Sequence, residues 1–557
     1  MFRIYVPAES TENVPEQPTD QALTRYTLPA IPDAVLQRHG ARVLRPSQAA
    51  VVRGEPRPDP TVYRYGVLLM PREVADEGVL GVLNRLLAEV DMQLLRPDPE
   101  VRHRPGPVAV ELAPKSGFKA ESVDAWTAVQ RLRAGFDERD EVDDAVRSQV
   151  RSAVERINPE HVLFGSALDG AGSAMLIGTN TASNGSPDLT ELFNRPAAGT
   201  SGRIPVTVVL PDPPAPKLGA NATRRPVVAV LDTGIAYQPQ HDWLTPLAER
   251  GTAAAPDAVV IVDPELQDEL ARSAVSGSGV PRLPIEGFAD RPSIEEPLLG
   301  DLSTHAGHGT FIAGIIRQLA PDAQIYAVRV MHPDGFAHEA DVALALGRIA
   351  ERVERAHATN GQDGQYVDVV SLSLGYFHES PEEVRVTDQL KPIIDRLMTL
   401  GVTVVAAAGN FSTSRPFYPG ALTTRLAADD KAPLISVGSL NPNGSTSRFS
   451  NEGPWVTCYA SGAAVVSTFP KFAGALNATA QTGRRQSFDP DDFCSMFGIW
   501  SGSSFAAPGI AAGIAAELAA DAGTLDGTGR ATQRAAVAHQ AWETVQKKYQ
   551  SALYEQR

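Results

Sequence analysis

The sequence predicts an α/β protein: a parallel sheet flanked by helices on both faces, preceded by a smaller α/β domain. Two observations carry the prediction. From Arg225 onward, short apolar strands (VVAVL, AQIYAVRVM, DVVSLSLG, VTVVAAAGN) alternate with helix-patterned segments (HGTFIAGIIRQL, ALALGRIAERVERA). Strands with no polar face imply a sheet covered on both sides. Earlier, from Tyr63, the order is strand YRYGVLLMP, helix GVLGVLNRLLAEV and strands MQLLRP and PVAVELAP. Helices AWTAVQRLRAG and DDAVRSQVRSAVERI and a last strand HVLFGSAL follow. Strand–helix–strand, twice over, suggests a ferredoxin-like split βαβ unit.

Composition divides the chain in the same way. Residues 1–60, rich in Pro, Arg and small polar groups, read as a poorly packed leader, and residues 61–169 as the small α/β domain. Residues 170–224, rich in Gly, Ser, Asn and Pro and ending in VLPDPPAPKLGAN, read as a linker. Residues 225–523 form the main domain, with an insertion at 245–303, and residues 524–557 a helical extension.

Of the 557 residues, 50 are Lys or Arg and 66 Asp or Glu, a formal charge of −16. That balance argues against nucleic acid and against anionic membranes as partners. No apolar run approaches the roughly 18 to 20 residues of a membrane helix. MFRIYVPAESTENVPEQPTD lacks the apolar core of a secretory signal, which predicts a cytoplasmic location. With only Cys458 and Cys494, a disulfide scaffold and a multi-cysteine metal site are excluded; Cys458, in an apolar strand, reads as a buried small hydrophobe.

Three polar motifs fall where such a sheet presents chemistry, beyond the carboxyl ends of its strands. Asp232 follows VVAVL, His308 opens the helix of GHGTFIAG, and Ser504 precedes a small-residue helix with Pro508 in its first turn. Singly, each has a bland reading. Asp232 is a possible helix cap, His308 a hydrogen-bonded structural histidine, and Ser504, in Gly-x-Ser-x-Ala, is near background. The other histidines, His305 among them, carry no comparable context. A single DTG lacks the second carboxylate of an aspartic peptidase, and the order Asp, His, Ser is not that of the α/β-hydrolases.

Together the motifs resemble the subtilisin-like serine peptidases, whose order is Asp, His, Ser. VAVLDTGI, HGTFIAG, APDAQIYAVRVM, VDVVSLSLG, VVAAAGN, FYPGA with SRFSNEG, and SGSSFAAP follow in the family's order from about Arg225 to Ala520. The resemblance implies a serine endopeptidase. Ser504 would be the nucleophile, His308 the general base, Asp232 its orienting carboxylate, and Asn410 an oxyanion donor beside the Ser504 N–H. A protein or peptide substrate would bind as an added strand. It would lie between Gly335, Phe336 and Ala337 on one side and Leu372, Ser373, Leu374 and Gly375 on the other. Ala406, Ala407 and Ala408 would wall a roomy pocket for a large or apolar residue before the cleaved bond. No cofactor is required for this chemistry. Structural calcium is compatible with the resemblance, but HDWL offers only Asp242 as a weak ligand.

Ser503, Phe505 and Gly509 depart from the family's usual Thr, Met and His. The 76-residue gap between Asp232 and His308 contains the insertion, read as a lid, a substrate-selecting loop or a solvated excursion. For the N-terminal domain two roles stay open: an inhibitory or chaperone prodomain acting in cis, or a permanent domain that binds a partner. For the whole, the alternative is a catalytically silent subtilase acting as a peptide-binding scaffold.

Overall fold

The computed structural model describes residues 2–6, 31–98, 103–115, 123–136, 143–166, 203–206, 210–217, 224–236, 244, 247–251, 257–273, 281–290, 294–296, 301–380, 389–426, 430–471, 493–520 and 531–550. Most of the expected linker, and Asp242, lie outside the described residues.

The first part of the chain runs β1 (Ile4–Tyr5), α1 (Asp33–Arg38), β2 (Ala41–Leu44), β3 (Thr61–Met70), α2 (Glu77–Leu87), β4 (Met92–Leu94), β5 (Val108–Pro114), α3 (Ala125–Ala134), α4 (Asp144–Val154) and β6 (Asn158–Gly165). Helices α2, α3 and α4 each start on an aspartate, Asp76, Asp124 and Asp143, whose carboxylate accepts a first-turn N–H. The sheet order β6-β3-β5-β4 is antiparallel throughout. Counted along the βαββαβ path, this is fourth-first-third-second. Leu80, Leu83, Leu87, Trp126, Val129 and Val150 from the helices pack on Leu68, Met70, Val108 and Val110 of the strands.

The second part runs β7 (Ile204–Pro205), β8 (Val227–Asp232), β9 (Leu247–Glu249), β10 (Val260–Val262), α5 (Pro264–Ser273), β11 (Ile294–Glu296), β12 (Asp301–Leu302), α6 (His308–Leu319), β13 (Gln324–Arg329), β14 (Phe336–His338), α7 (Glu339–Thr359), β15 (Val369–Leu372) and β16 (Leu374–Phe377). It continues with α8 (Lys391–Thr399), β17 (Thr403–Ala407), β18 (Phe417–Tyr418), β19 (Leu434–Leu440), β20 (Cys458–Ser461), β21 (Val465–Thr468), β22 (Phe497–Trp500), α9 (Ser503–Ala520) and α10 (Ala531–Tyr549). Its main sheet has the order β1-β20-β19-β17-β15-β8-β13-β10-β9, parallel except for β1. Leu266, Leu346, Ile394 and Leu397 from α5, α7 and α8 pack on one face. Phe311, Ile312, Ile514 and Val545 from α6, α9 and α10 pack on the other.

Three expectations change. The first 60 residues are not simply a leader. Ile4, Val35, Ala41 and Leu44 are buried, because short apolar runs suffice when an existing sheet or strand edge receives them. Much of the expected insertion is neither lid nor excursion: β9, β10 and α5 extend the main sheet and its cover. Helix α9, moreover, is by length and apolarity able to cross a membrane, although 78% of it is buried within the fold. Its composition is that of a central core helix. Cys458 is buried, Cys494 is exposed, and both are free.

The N-terminus also explains a departure. A Cβ on Gly509 would lie 2.2 Å from the ring of Phe2, so the side chain expected at 509 is replaced by the phenyl group of Phe2. Phe2→Ala should cost about 1–2 kcal/mol of this packing. The expected result is a melting temperature lower by a few degrees, read in a thermal melt.

Candidate active site

Strand β8 delivers Asp232 at its carboxyl end, α6 begins at His308, and Ser504 is the second residue of α9. All three are buried. His308 Nδ1 lies 2.7 Å from Asp232 Oδ1, which also accepts the Thr233 N–H at 2.8 Å. The carboxylate therefore fixes the ring so that Nε2 is the basic nitrogen. That Nε2 is buried without a hydrogen-bond partner. The Ser504 hydroxyl is turned instead to the Ser373 carbonyl, at 3.2 Å, so the hydrogen bond between Ser504 and His308 is not formed.

The two groups expected as oxyanion donors meet on one carbonyl. The Ser504 N–H donates to the Ser166 carbonyl at 3.1 Å, and Asn410 Nδ2 donates to the same oxygen. Asn410 is aimed by its own Oδ1, which accepts the Ser503 N–H at 2.9 Å, while Ser503 Oγ accepts the Gly409 N–H at 3.1 Å. The hydroxyl of Ser503 thus holds the turn that carries Asn410, a contact that the family's threonine could also make.

Ser166 arrives there on β6, which pairs antiparallel with β14 (Phe336↔Phe164, Ala337↔Leu163) and with β16 (Leu374↔Gly165, Gly375↔Phe164). The Gly165 N–H donates to the Gly335 carbonyl at 2.8 Å and the Ser166 N–H to the Ser373 carbonyl at 2.9 Å. The structure therefore brings Gly335, Phe336, Ala337, Ser373, Leu374 and Gly375 together on one strand of the same chain. Leu372 and Ala406 pair with each other in the main sheet, Ala407 pairs with Val437, and all of Ala406–Ala408 are fully buried. The described pairings do not bring these four to β6. The residue ahead of the presented bond is a serine rather than a large apolar side chain, and its hydroxyl is buried without a partner.

Three residues near this center were passed over in the sequence. Ser166 lies in FGSALDG, which carries no local mark beyond ending a strand. His305 fills the space beside Gly165 and Gly335, with Thr304 Oγ1 3.0 Å from its Nδ1. Burial, and then the charge on nearby His308, pushes its pKa well down. Asp290, within the expected insertion, accepts the Gly307 N–H and the Thr310 hydroxyl, each at 3.2 Å, and donates its own N–H to the Ile235 carbonyl. It braces both the start of α6 and the turn after Asp232.

Burial pushes the Asp290 carboxyl up to about 7, with Asp232 adding to the effect. A raised acid favours the folded state while protonated. That contribution is complete below the unfolded carboxyl range near 4 and is lost as pH rises through about 7. Asp290→Asn cannot ionise, so its melting temperature relative to the parent should rise by a few degrees between pH 5 and pH 8. Parallel melts at the two pH values check this.

Comparison with known proteins accords with the geometry. The subtilase family profile matches residues 223–554, and the chain belongs to that family. It is 33% identical over 184 residues to subtilisin BL of Lederbergia lenta, covering 31% of this chain and 58% of that protein. It is 30% identical over 189 residues to subtilisin E of Bacillus subtilis (strain 168), covering 31% and 42%. The chain thus spans about half the length of these relatives. Among solved structures it is similar to fervidolysin from Fervidobacterium pennivorans, a keratinolytic enzyme related to subtilisin. The TM-score is 0.39 at 15% identity, over 85% of this chain and 57% of that one.

Proposed function

We propose that the chain is a serine endopeptidase that acts on restricted protein or peptide substrates and that its first substrate is itself, at the bond between Ser166 and Ala167. One observation carries this reading: the Ser166 carbonyl oxygen sits between the Ser504 N–H and Asn410 Nδ2. Two donors on one carbonyl at the start of a helix are what a developing oxyanion needs.

Rotation about the Cα–Cβ bond of Ser504 exchanges its contact with Ser373 for His308 Nε2. The hydroxyl oxygen then adds to the Ser166 carbonyl carbon while His308 takes the proton and Asp232 steadies the imidazolium. The negative charge moves to the oxygen already held by two donors. Collapse breaks the bond to the Ala167 nitrogen, which leaves as an amine with the proton from His308. Water, deprotonated by the same ring, then releases Ser166 as a carboxylic acid. Until the N-terminal domain leaves, β6 fills both substrate edges, which supports inhibition in cis over a partner-binding role. A silent scaffold finds support in one feature, the turn of Ser504 toward Ser373.

A fluorophosphonate probe separates the two readings. Processed chain freed of residues 1–166 should gain one adduct by intact mass, and Ser504→Ala none. A processed chain with an open cleft and no adduct would sink the peptidase reading.

A further inference from the structure

We propose that His39, His332 and His338 form a transition-metal site, for an ion of the zinc class, that clasps the N-terminal domain to β14. His39 follows α1, His332 lies four residues before β14, and His338 is the last residue of β14. All three are buried, and one ring nitrogen of each lies within 4.8 Å of the other two.

The hydrogen positions that the surroundings demand make the case. His39 Nε2 lies 2.9 Å from Asp334 Oδ2, a carboxylate that only accepts, so Nε2 carries the hydrogen and Nδ1 is a lone pair. His338 Nδ1 makes no hydrogen bond, but the charge of the Asp341 carboxylate facing it, with Oδ2 at 3.6 Å, favours a hydrogen there and a lone pair on Nε2. Those two lone pairs, His39 Nδ1 and His338 Nε2, are 3.2 Å apart. A cation between them relieves that opposition. Nitrogens about 2.0–2.1 Å from a tetrahedral zinc stand about 3.3 Å from each other, close to that separation. A shared proton would satisfy these two nitrogens only. It would leave the third, since His332 Nε2 is also buried and without a hydrogen-bond partner. A metal ion satisfies all three. Asp334, itself held by Arg38 at 3.0 Å, and Asp341 then stand behind the ligands as the carboxylates that orient metal-bound imidazoles.

A second buried group, His161 with His378 and Glu379, does not qualify. His161 uses both nitrogens, each 2.8 Å from a carboxylate, Glu339 on one side and Glu379 on the other. Burial alone would lower its pKa, but these two carboxylates push it up to about 10. It is a paired cation with no lone pair to give.

The test uses full-length Ser504→Ala chain, stripped with a chelator and dialysed against zinc(II) or cobalt(II). The expected result is one equivalent bound with Kd below about 1 µM, the visible absorption of four-coordinate cobalt, and nitrogen at about 2.0–2.1 Å from zinc by X-ray absorption. His332→Gln should weaken uptake at least about 100-fold, and His378→Gln should leave it unchanged. Uptake under about 0.1 equivalent at 10 µM free ion, sulfur in the first shell, or equal uptake by His332→Gln would each overturn the site. Should His332→Gln fail to fold, the cobalt spectrum and zinc shell of Ser504→Ala decide on their own.

Discussion

Purified parent chain should consist of two polypeptides, residues 1–166 and 167–557, whereas Ser504→Ala should remain one. The chain up to Ser166 is held between two edges by main-chain hydrogen bonds, with the Ser166 carbonyl between the Ser504 N–H and Asn410 Nδ2, so on the proposed reading no encounter step limits cleavage after it. In subtilisin itself, loss of the nucleophile costs about 10⁶ in kcat. A loss of that size turns processing within minutes into none over a purification. Asn410→Ala should process about 10²–10³ more slowly, the cost of one oxyanion donor measured in subtilisin. Intact masses read all three. Cleavage of Ser504→Ala at the parent's rate, or a parent cut only elsewhere, would dispose of the proposed bond.

The second large effect concerns Gly165. A Cβ there would lie 2.5 Å from His305 Cδ2, 2.6 Å from its Nε2 and 3.1 Å from the sulfur of Met331. The other side of the imidazole packs closely on Gly335, where an added Cβ would lie 2.3 Å from its Nδ1. Gly165→Ala must therefore lift β6 from its pairing, and processing should slow at least about 100-fold. In peptides built on VLFGSALD, replacing the glycine by alanine should lower kcat/KM to a similar degree. Replacing the serine should matter little, since its hydroxyl has no partner to lose. His305→Ala should restore much of the loss in Gly165→Ala but not improve the parent, the signature of a direct clash in a double-mutant cycle. Equal rates on glycine and alanine peptides would remove His305 from any part in selection.

Much of this was legible in the residues. Seven motifs in order pointed to Asp232 and His308, which the structure pairs, and to Ser504 and Asn410, whose donors it sets on one carbonyl, because the chemistry the resemblance implies needs particular side chains beside particular glycines and strands. The alternation of strands and helices likewise gave the main sheet. What stayed hidden depends on contacts between distant segments. HVLFGSAL looks like any last strand, and only its register against Gly335–His338 and Leu374–Gly375 reveals where Ser166 lies. Asp290 and His305 have no motif, since their work is to fill space and brace turns. Ile4 and Tyr5 are too short a run to announce a strand, yet they find an open edge.

That small strand has a consequence for latency. On the proposed reading, once the bond after Ser166 is cut, the fragment whose β6 fills the cleft still owns β1, paired with β20 at an edge of the main sheet. The two holds are joined through residues 7–30, so a departing β6 is not diluted into solvent but kept at an effective concentration on the order of millimolar. Scission alone therefore leaves a self-competing inhibitor, and dilution of the cut protein will not wake it. Activity should appear only when a second cut severs residues 7–30, or when β1 lets go.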